Sequence, residues 1–192
     1  MKMTLLIVSL LFMVGIVNLA QAETFESKSV VVRIDGTSTL HDWTAPAEKA
    51  KANGDLTIIN GELIKVNAMW VQVDVLSIKS EKGKDMDEKI YEALSVENHP
   101  TITFNVSSQK SIRKQESEYI IETVGELTIA GVKKNVDLTV KGTMQGNGDM
   151  VFKGSIKLLM SQYGMKRPTA MLGMIKCGDA VTVSFTLTMK KF

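Results

Sequence analysis

His41, His99, Cys177 and four late methionines are the side chains of this 192-residue sequence whose chemistry calls for weighing first. His41 stands in Ser38-Thr39-Leu40-His41-Asp42-Trp43, beside an aspartate, which invites a hydrolase or isomerase reading with His41 as the base. Adjacent residues of an extended strand point to opposite faces, so Asp42 is badly placed to orient that ring. No Gly-x-Ser-x-Gly elbow accompanies the pair, and no catalytic residue is assigned. His99 precedes Pro100 and fits a turn or cap. A metal centre needs three or four ligands at a recognisable spacing, which two distant histidines and one cysteine do not supply. Met160, Met165, Met171 and Met174 offer soft thioethers of the kind that bind Cu(I). They lack a Met-x-Met spacing, and methionine is also an adaptable packing residue. Neither metal nor cofactor is expected. Gly146-Asn147-Gly148-Asp149 has no following lysine and helix, so it reads as a hairpin turn rather than a phosphate loop.

The elements around these residues are strands. Val30, Val32 and Ile34 alternate with Val31, Arg33 and Asp35. The same period of two runs through Met69/Val71/Val73/Val75, Ile102/Phe104/Val106, Val136/Leu138/Val140 and Val181/Val183/Phe185/Leu187/Met189. Such alternation marks antiparallel strands with one face on a core. Residues 117–122, 125–129 and 150–160 are further strand candidates. Asn53-Gly54-Asp55, Asn60-Gly61, Ala130-Gly131 and Gly146–Asp149 carry the residues of tight turns. Gly54-Asp55-Leu56-Thr57-Ile58 resembles Gly125-Glu126-Leu127-Thr128-Ile129, each read as a turn glycine followed by strand residues, which similar hairpins explain more simply than a duplication. Residues 85–94 break the pattern: Met86, Ile90 and Leu94 are spaced four apart, as on an amphipathic helix that Pro100 keeps from continuing.

Residues 1–22 have the form of a cleavable secretory signal peptide. Lys2 is followed by an apolar run over residues 5–19, and Ala20-Gln21-Ala22 places small residues before Glu23. The run is shorter than the roughly 20 residues of a spanning helix. Residues 23–192 then form one domain, expected in the periplasm or secreted, without a stable membrane anchor. Of 23 basic residues only Lys2 lies in the leader, leaving 22 against 21 acidic ones. That balance, with few aromatics, argues against nucleic acid as a partner. Cys177 has no intramolecular partner and reads as a buried structural thiol; a homodimer is compatible with the sequence.

Three stretches resemble the YceI-like family. Val96-Glu97-Asn98-His99-Pro100-Thr101-Ile102-Thr103-Phe104 is similar to its acidic, proline-containing lead into a strand. Gly125-Glu126-Leu127-Thr128-Ile129-Ala130-Gly131-Val132-Lys133-Lys134-Asn135-Val136-Asp137-Leu138 resembles its most recognisable hairpin. Tyr163-Gly164-Met165 and then Cys177-Gly178-Asp179-Ala180-Val181-Thr182-Val183 resemble its closing loop and last strand. Two departures stand out: where the family has a phenylalanine and a lysine-histidine pair only His41 matches, and Lys84-Asp85 replaces an arginine-aspartate pair.

The resemblance implies an all-β, lipocalin-like antiparallel barrel with one short helix. It also implies a binding protein, not an enzyme, that encloses an apolar-tailed lipid such as a polyisoprenoid or fatty chain. Burying some 20 carbons at about 0.8 kcal/mol each offers roughly 16 kcal/mol, against association costs of about 4–15 kcal/mol. The expected lining is Met69, Val71, Val73, Val75, Ile102, Phe104, Val106, Leu138 and Phe185, with Trp43, Tyr163, Met165 and Met171 at the mouth. Alternation fits a packed interior equally well, which would leave an envelope scaffold acting through protein contacts.

Overall fold

The computed structural model describes residues 21–192. The signal-peptide segment therefore lies outside the described residues, except for Gln21 and Ala22.

The alternating segments form β1 (Ala22–Ser38), β2 (Trp43–Ala47), β3 (Ala50–Ile59) and β4 (Glu62–Asp74), followed by helix α1 (Lys84–Ala93). After α1 come β5 (Thr101–Gln115), β6 (Glu118–Ile129), β7 (Val132–Met144), β8 (Met150–Leu159), the two-residue β9 (Thr169–Ala170) and β10 (Ile175–Lys191). Neighbours pair antiparallel in the order β2-β1-β3-β4-β5-β6-β7-β8-β10-β9. The pairing of β1 with β10, from Phe25 opposite Lys191 to Ser38 opposite Cys177, closes an eight-stranded barrel. On its other edge β1 meets β3 at one end and β2 at the other. Val32 opposite Ala47 and Glu26 opposite Asn53 fall on one register, so β2 and β3 act as a single strand interrupted at Glu48 and Lys49.

The two ends of the barrel differ because their connections differ. Tight turns close one end. Asn60-Gly61 joins β3 to β4 with both residues at positive φ, 52° and 76°, as the twist of a two-residue hairpin requires. There Phe25, Leu56, Leu63, Tyr119, Met150, Leu187 and Met189 pack into a dense floor. The Tyr119 hydroxyl accepts the Leu63 amide at 3.1 Å, and the Gln109 side chain accepts the Val66 amide at 2.8 Å. These bonds occupy amides beside the register shifts of β3 and β4. At the opposite end lie the short β6–β7 turn and the longer connections, including α1 and the segment between β8 and β10.

The outward faces carry charge across neighbouring strands, as in Lys133–Glu126, Lys141–Glu118 and Lys190–Glu26, at 2.8–3.0 Å. Exposed pairs of this kind contribute about 0–1 kcal/mol each, so the fold rests on the apolar interior. A membrane-spanning barrel has the reverse arrangement, with an apolar band outward. Among the described residues no helix is long and apolar enough to cross a membrane.

Two expected turns are strand interiors. Gly54 lies within β3 and Gly125 within β6, which runs unbroken from Glu118 to Ile129. The glycines are there for space, not for φ. A β-carbon on Gly54 would stand 2.8 Å from the Ala68 carbonyl oxygen. One on Gly125 would stand 2.7 Å from the Asn105 carbonyl oxygen and would collide with the Phe104 ring. Each of these strands ends in its own two-residue turn, at Asn60-Gly61 and Ala130-Gly131. That shared ending accounts for the similarity of the two stretches. The expected helix appears one residue earlier than its spacing suggested, over Lys84–Ala93.

Because the outer atoms of the Phe104 ring occupy the space over Gly125, Gly125→Ala should force that ring inward. The expected cost is about 1–3 kcal/mol, the usual range for overpacking, read from the urea midpoint. A variant as stable as wild type would show that the ring is not held by this contact.

Candidate functional site

The inward faces of seven strands enclose an apolar lumen of about 170 Å³. The walls come from β1, β4, β5, β6, β7, β8 and β10, with Ile78 at one end. On β3 the inward positions Ala52 and Gly54 are too small to reach it, and Met69 lies over Gly54. Thr123 is the one lining residue with a polar side chain, and its hydroxyl donates to the Leu138 carbonyl at 3.2 Å. Among the described residues no buried side-chain polar atom lacks a partner. The lumen therefore presents hydrocarbon alone, and an apolar cavity of this size stays dry and holds small apolar molecules.

Aromatic rings lining this wall lie over glycines instead of filling the centre. Phe104 covers Gly125, and Phe185 covers its direct partner Gly154, whose β-carbon would stand 2.7 Å from the ring. Each glycine lets a large ring fold back against the strand.

A second apolar space of about 80 Å³ continues the lumen toward the α1 end, and the two share Ile34, Ile78, Ile102, Ile129, Leu158 and Val183. Trp43, Met86, Ile90, Leu94, Met160, Tyr163, Met165 and Pro168 complete this mouth. The amphipathic face of α1 that the sequence marks, Met86, Ile90 and Leu94, thus closes the barrel. Its seat is polar. The Asp87 carboxylate accepts the Ser80 amide at 2.5 Å and faces Lys79 at 3.6 Å. The Tyr91 hydroxyl lies 2.9 and 3.0 Å from the carbonyls of Leu76 and Ile78 and accepts from Lys79 at 2.6 Å. This bond to Tyr91 is the main cause that raises the Lys79 pKa.

A strap over residues 160–165 covers the other side of the mouth. The Asp179 carboxylate on β10 holds it, accepting the Ser161 hydroxyl at 2.5 Å and the Ser161 amide at 2.8 Å. These two bonds, hydroxyl first, hold the Asp179 carboxyl below its ordinary value. His99 supports the same end from outside: its ring packs on Gly131, where a β-carbon would stand 2.5 Å away. The proline-containing stretch and the hairpin singled out in the sequence are therefore in contact.

Of the expected lining, Met69, Val71, Val73, Ile102, Phe104, Val106, Leu138 and Phe185 line the lumen. Val75 does not. β4 ends at Asp74, whose carboxylate accepts the Leu76 amide at 3.0 Å and starts a 3-10 turn over Val75–Ser77. The alternation stops there, and Val75 packs in the core away from the lumen. Trp43, Tyr163 and Met165 stand at the mouth, whereas Met171 is 64% exposed on a turn beyond it. Val30, Val32 and Ile34 alternate as clearly as any segment and also line the lumen. Ile121, Thr123, Phe152 and Ile156 do so too, although a glycine interrupts the alternation of each strand.

The other chemistries find no assembled site. His41 and Asp42 are exposed, and the Ser38 hydroxyl donates to the His41 carbonyl rather than to its ring, at 2.7 Å. The four late methionines diverge, with Met160 buried at the mouth and Met174 70% exposed. Cys177 is buried opposite Ser38, and burial is the main cause that raises its thiol pKa.

Comparisons with known proteins agree with this architecture. The family model described as the YceI-like domain matches residues 45–189. A polyisoprenoid binding domain from Saccharophagus degradans, described as implicated in plant cell wall breakdown, superposes with a TM-score of 0.65 at 11% identity, covering 90% of this chain and 100% of its own. Burkholderia cenocepacia BcnA gives 0.61 at 17%, covering 83% and 95%. A Campylobacter jejuni YceI protein gives 0.50 at 18%, covering 67% and 74%. At such identities the likeness is one of fold. No curated protein matches the chain in sequence.

Two measurements check the site. Cys177 should resist iodoacetamide at pH 8 in the folded protein and react once it is unfolded in urea; equal rates would place the thiol outside the core. The Ser161 amide resonance should follow Asp179, with a midpoint below the ordinary aspartate value of 3.8. A depressed carboxyl contributes stability above its unfolded value and loses it as pH falls through the folded one. The strap should therefore stay tethered at neutral pH and loosen as the pH falls below the ordinary aspartate value, and a midpoint at or above 3.8 would remove that tether from the account.

Proposed function

The chain belongs to the YceI-like domain family, and on that premise we propose that its lumen encloses the hydrocarbon tail of an amphipathic lipid, of isoprenoid type, for carriage or storage in the envelope space. The observation that carries this reading is the chemistry of the wall. Every lining side chain is hydrocarbon or thioether except Thr123, and Thr123 donates internally. A ligand inside gains nothing from a polar group and loses whatever hydration that group gives up. The head group must then stay at the mouth, among Trp43, Tyr163 and the ends of α1 and the strap. The Saccharophagus degradans relative, a polyisoprenoid binding domain by its description, supports this class of ligand.

The size of the lumen adds a condition. A cavity near 150 Å³ holds a benzene-sized molecule, so 170 Å³ receives a short stretch of chain. A tail of tens of carbons needs the mouth to widen. Methionines, α1 and the strap form that region, and they are adjustable where the ladders of the barrel are not. Ten enclosed methylenes at about 0.8 kcal/mol each would contribute roughly 8 kcal/mol, within the range of association costs of about 4–15 kcal/mol. Longer tails should accordingly bind more tightly. Neither a catalytic group nor a cofactor takes part. The leader-like residues 1–22 support export, and the charged outer faces of the strands suit an aqueous compartment.

Native mass spectrometry of the protein purified from its own envelope tests the reading. A bound lipid mass is the expected result. Val183 lines both parts of the lumen, so Val183→Phe should plug their junction and reduce tail binding at least about tenfold while the protein stays folded. A protein that yields no lipid on organic extraction, and gains no melting temperature with polyprenyl or fatty ligands, would overturn the proposal.

A further inference from the structure

Between β9 and β10 the chain projects a tip, Met171-Leu172-Gly173-Met174. Met171, Leu172 and Gly173 adopt left-handed backbone in succession, with φ of 48°, 54° and 89°. For leucine and methionine this conformation is disfavoured, because the β-carbon crowds the next carbonyl. Strain of this kind persists at sites where the surrounding structure enforces it, often functional ones. Its effect here is to turn apolar side chains outward: Leu172 is wholly exposed, and Met171 and Met174 are about two-thirds exposed. A second loop is tied to the tip. The Thr39 amide donates to the Lys176 carbonyl at 3.0 Å, and the Lys176 amide donates back to the Thr39 hydroxyl at 3.2 Å. This brings Leu40, 67% exposed, alongside. Four of the nine exposed large apolar side chains among the described residues thus sit on two touching loops, which is a cluster rather than scatter.

The surroundings of the tip are basic. Lys166, Arg167 and Lys176 are exposed, and no acidic residue occurs between Gly164 and Lys176. Among the described residues these three cations make no ion pair. Asp42 is the acid on the companion loop, and Asp179, hydrogen-bonded to Ser161, lies within electrostatic reach of Arg167 without pairing to it. The tip also borders the mouth. Met165 and Pro168 line the mouth cavity, and the Pro168 carbonyl accepts the Cys177 amide at 3.0 Å.

Exposed apolar residues inside a collar of unpaired cations match the chemistry of an anionic bilayer surface, where side chains enter the acyl boundary and cations meet phosphates. We propose that this face docks the barrel, mouth first, on an anionic lipid bilayer. A protein partner would be served by the apolar cluster alone, whereas the three unpaired cations beside it favour lipid phosphate. The use of such docking, exchange of a lipid tail between bilayer and lumen, rests on the lumen reading above; the docking itself does not.

Flotation with vesicles of phosphatidylglycerol and of phosphatidylcholine tests this directly. The protein is residues 23–192, which contain every barrel strand apart from the first residue of β1. Wild type should float with phosphatidylglycerol and far less with phosphatidylcholine. Leu172→Ser with Met174→Ser should weaken flotation by about tenfold or more. Replacing Lys166, Arg167 and Lys176 by Gln should cost roughly fivefold per residue and remove the preference for anionic vesicles. Circular dichroism should show all variants folded, since the substituted residues are exposed. In parallel, uptake of 1-aminoanthracene reports the lumen and should not change in the tip variants. Wild type that takes up the probe but ignores both vesicle types overturns docking and leaves the patch to a protein partner. Flotation unchanged by the tip substitutions overturns it too. Flotation without probe uptake supports docking and counts against the lumen reading.

Discussion

The closing ladder between β1 and β10 is the constraint from which the rest follows. The two strands pair from Phe25 and Lys191 to Ser38 and Cys177. Without it the sheet would have two free edges and the lumen would be an open groove. With it every inward residue faces another across the interior, and closure abolishes the unpaired edges that open sheets must otherwise protect. The same ladder places the last strand beside the first, so Cys177, Asp179 and Val181 reach the mouth together with Trp43. The strap is then held by Asp179 from within the ladder itself.

Closure alone does not produce a hollow barrel, because an eight-stranded ring is narrow enough for side chains to fill. The space exists because strand glycines leave room on the wall for rings that would otherwise fill the centre. Phe104 over Gly125 and Phe185 over Gly154 put large aromatics on the wall, not in the centre. At the floor Phe25, Met150 and Met189 point into the interior and are fully buried. The barrel is thus packed at one end and hollow toward the other, and the hollow end carries the adjustable residues.

Much of this was legible in the sequence because burial on one face writes itself as alternation. The longer strands, the helix and eight of the nine expected lining residues come from that period and from the family resemblance; the short β2 and β9 do not. Val75 failed where a local interaction won: Asp74 captures the Leu76 amide and stops the strand one residue short. Gly54 and Gly125 misled for a different reason. Glycine marks a turn and a close approach alike, and only the register of the neighbouring strand distinguishes them. Met171 is expected at the mouth, yet the left-handed run of Met171, Leu172 and Gly173 turns it outward. Whether the interior was hollow was not readable at all, since packed and open barrels share the same alternation.

The closing ladder also decides how the barrel yields to force. β1 and β10 are antiparallel, and the Phe192 amide donates to the Thr24 carbonyl at 2.9 Å, so both ends of the described chain leave from the floor. A pull applied between the two ends acts across the ladder, not along it, and separates the strands one hydrogen bond at a time. The barrel should therefore unzip at low load, beginning at Phe25 and Lys191 and reaching the mouth last. A tether at either terminus would hold the molecule by its tail and leave the opposite end free to face whatever it meets.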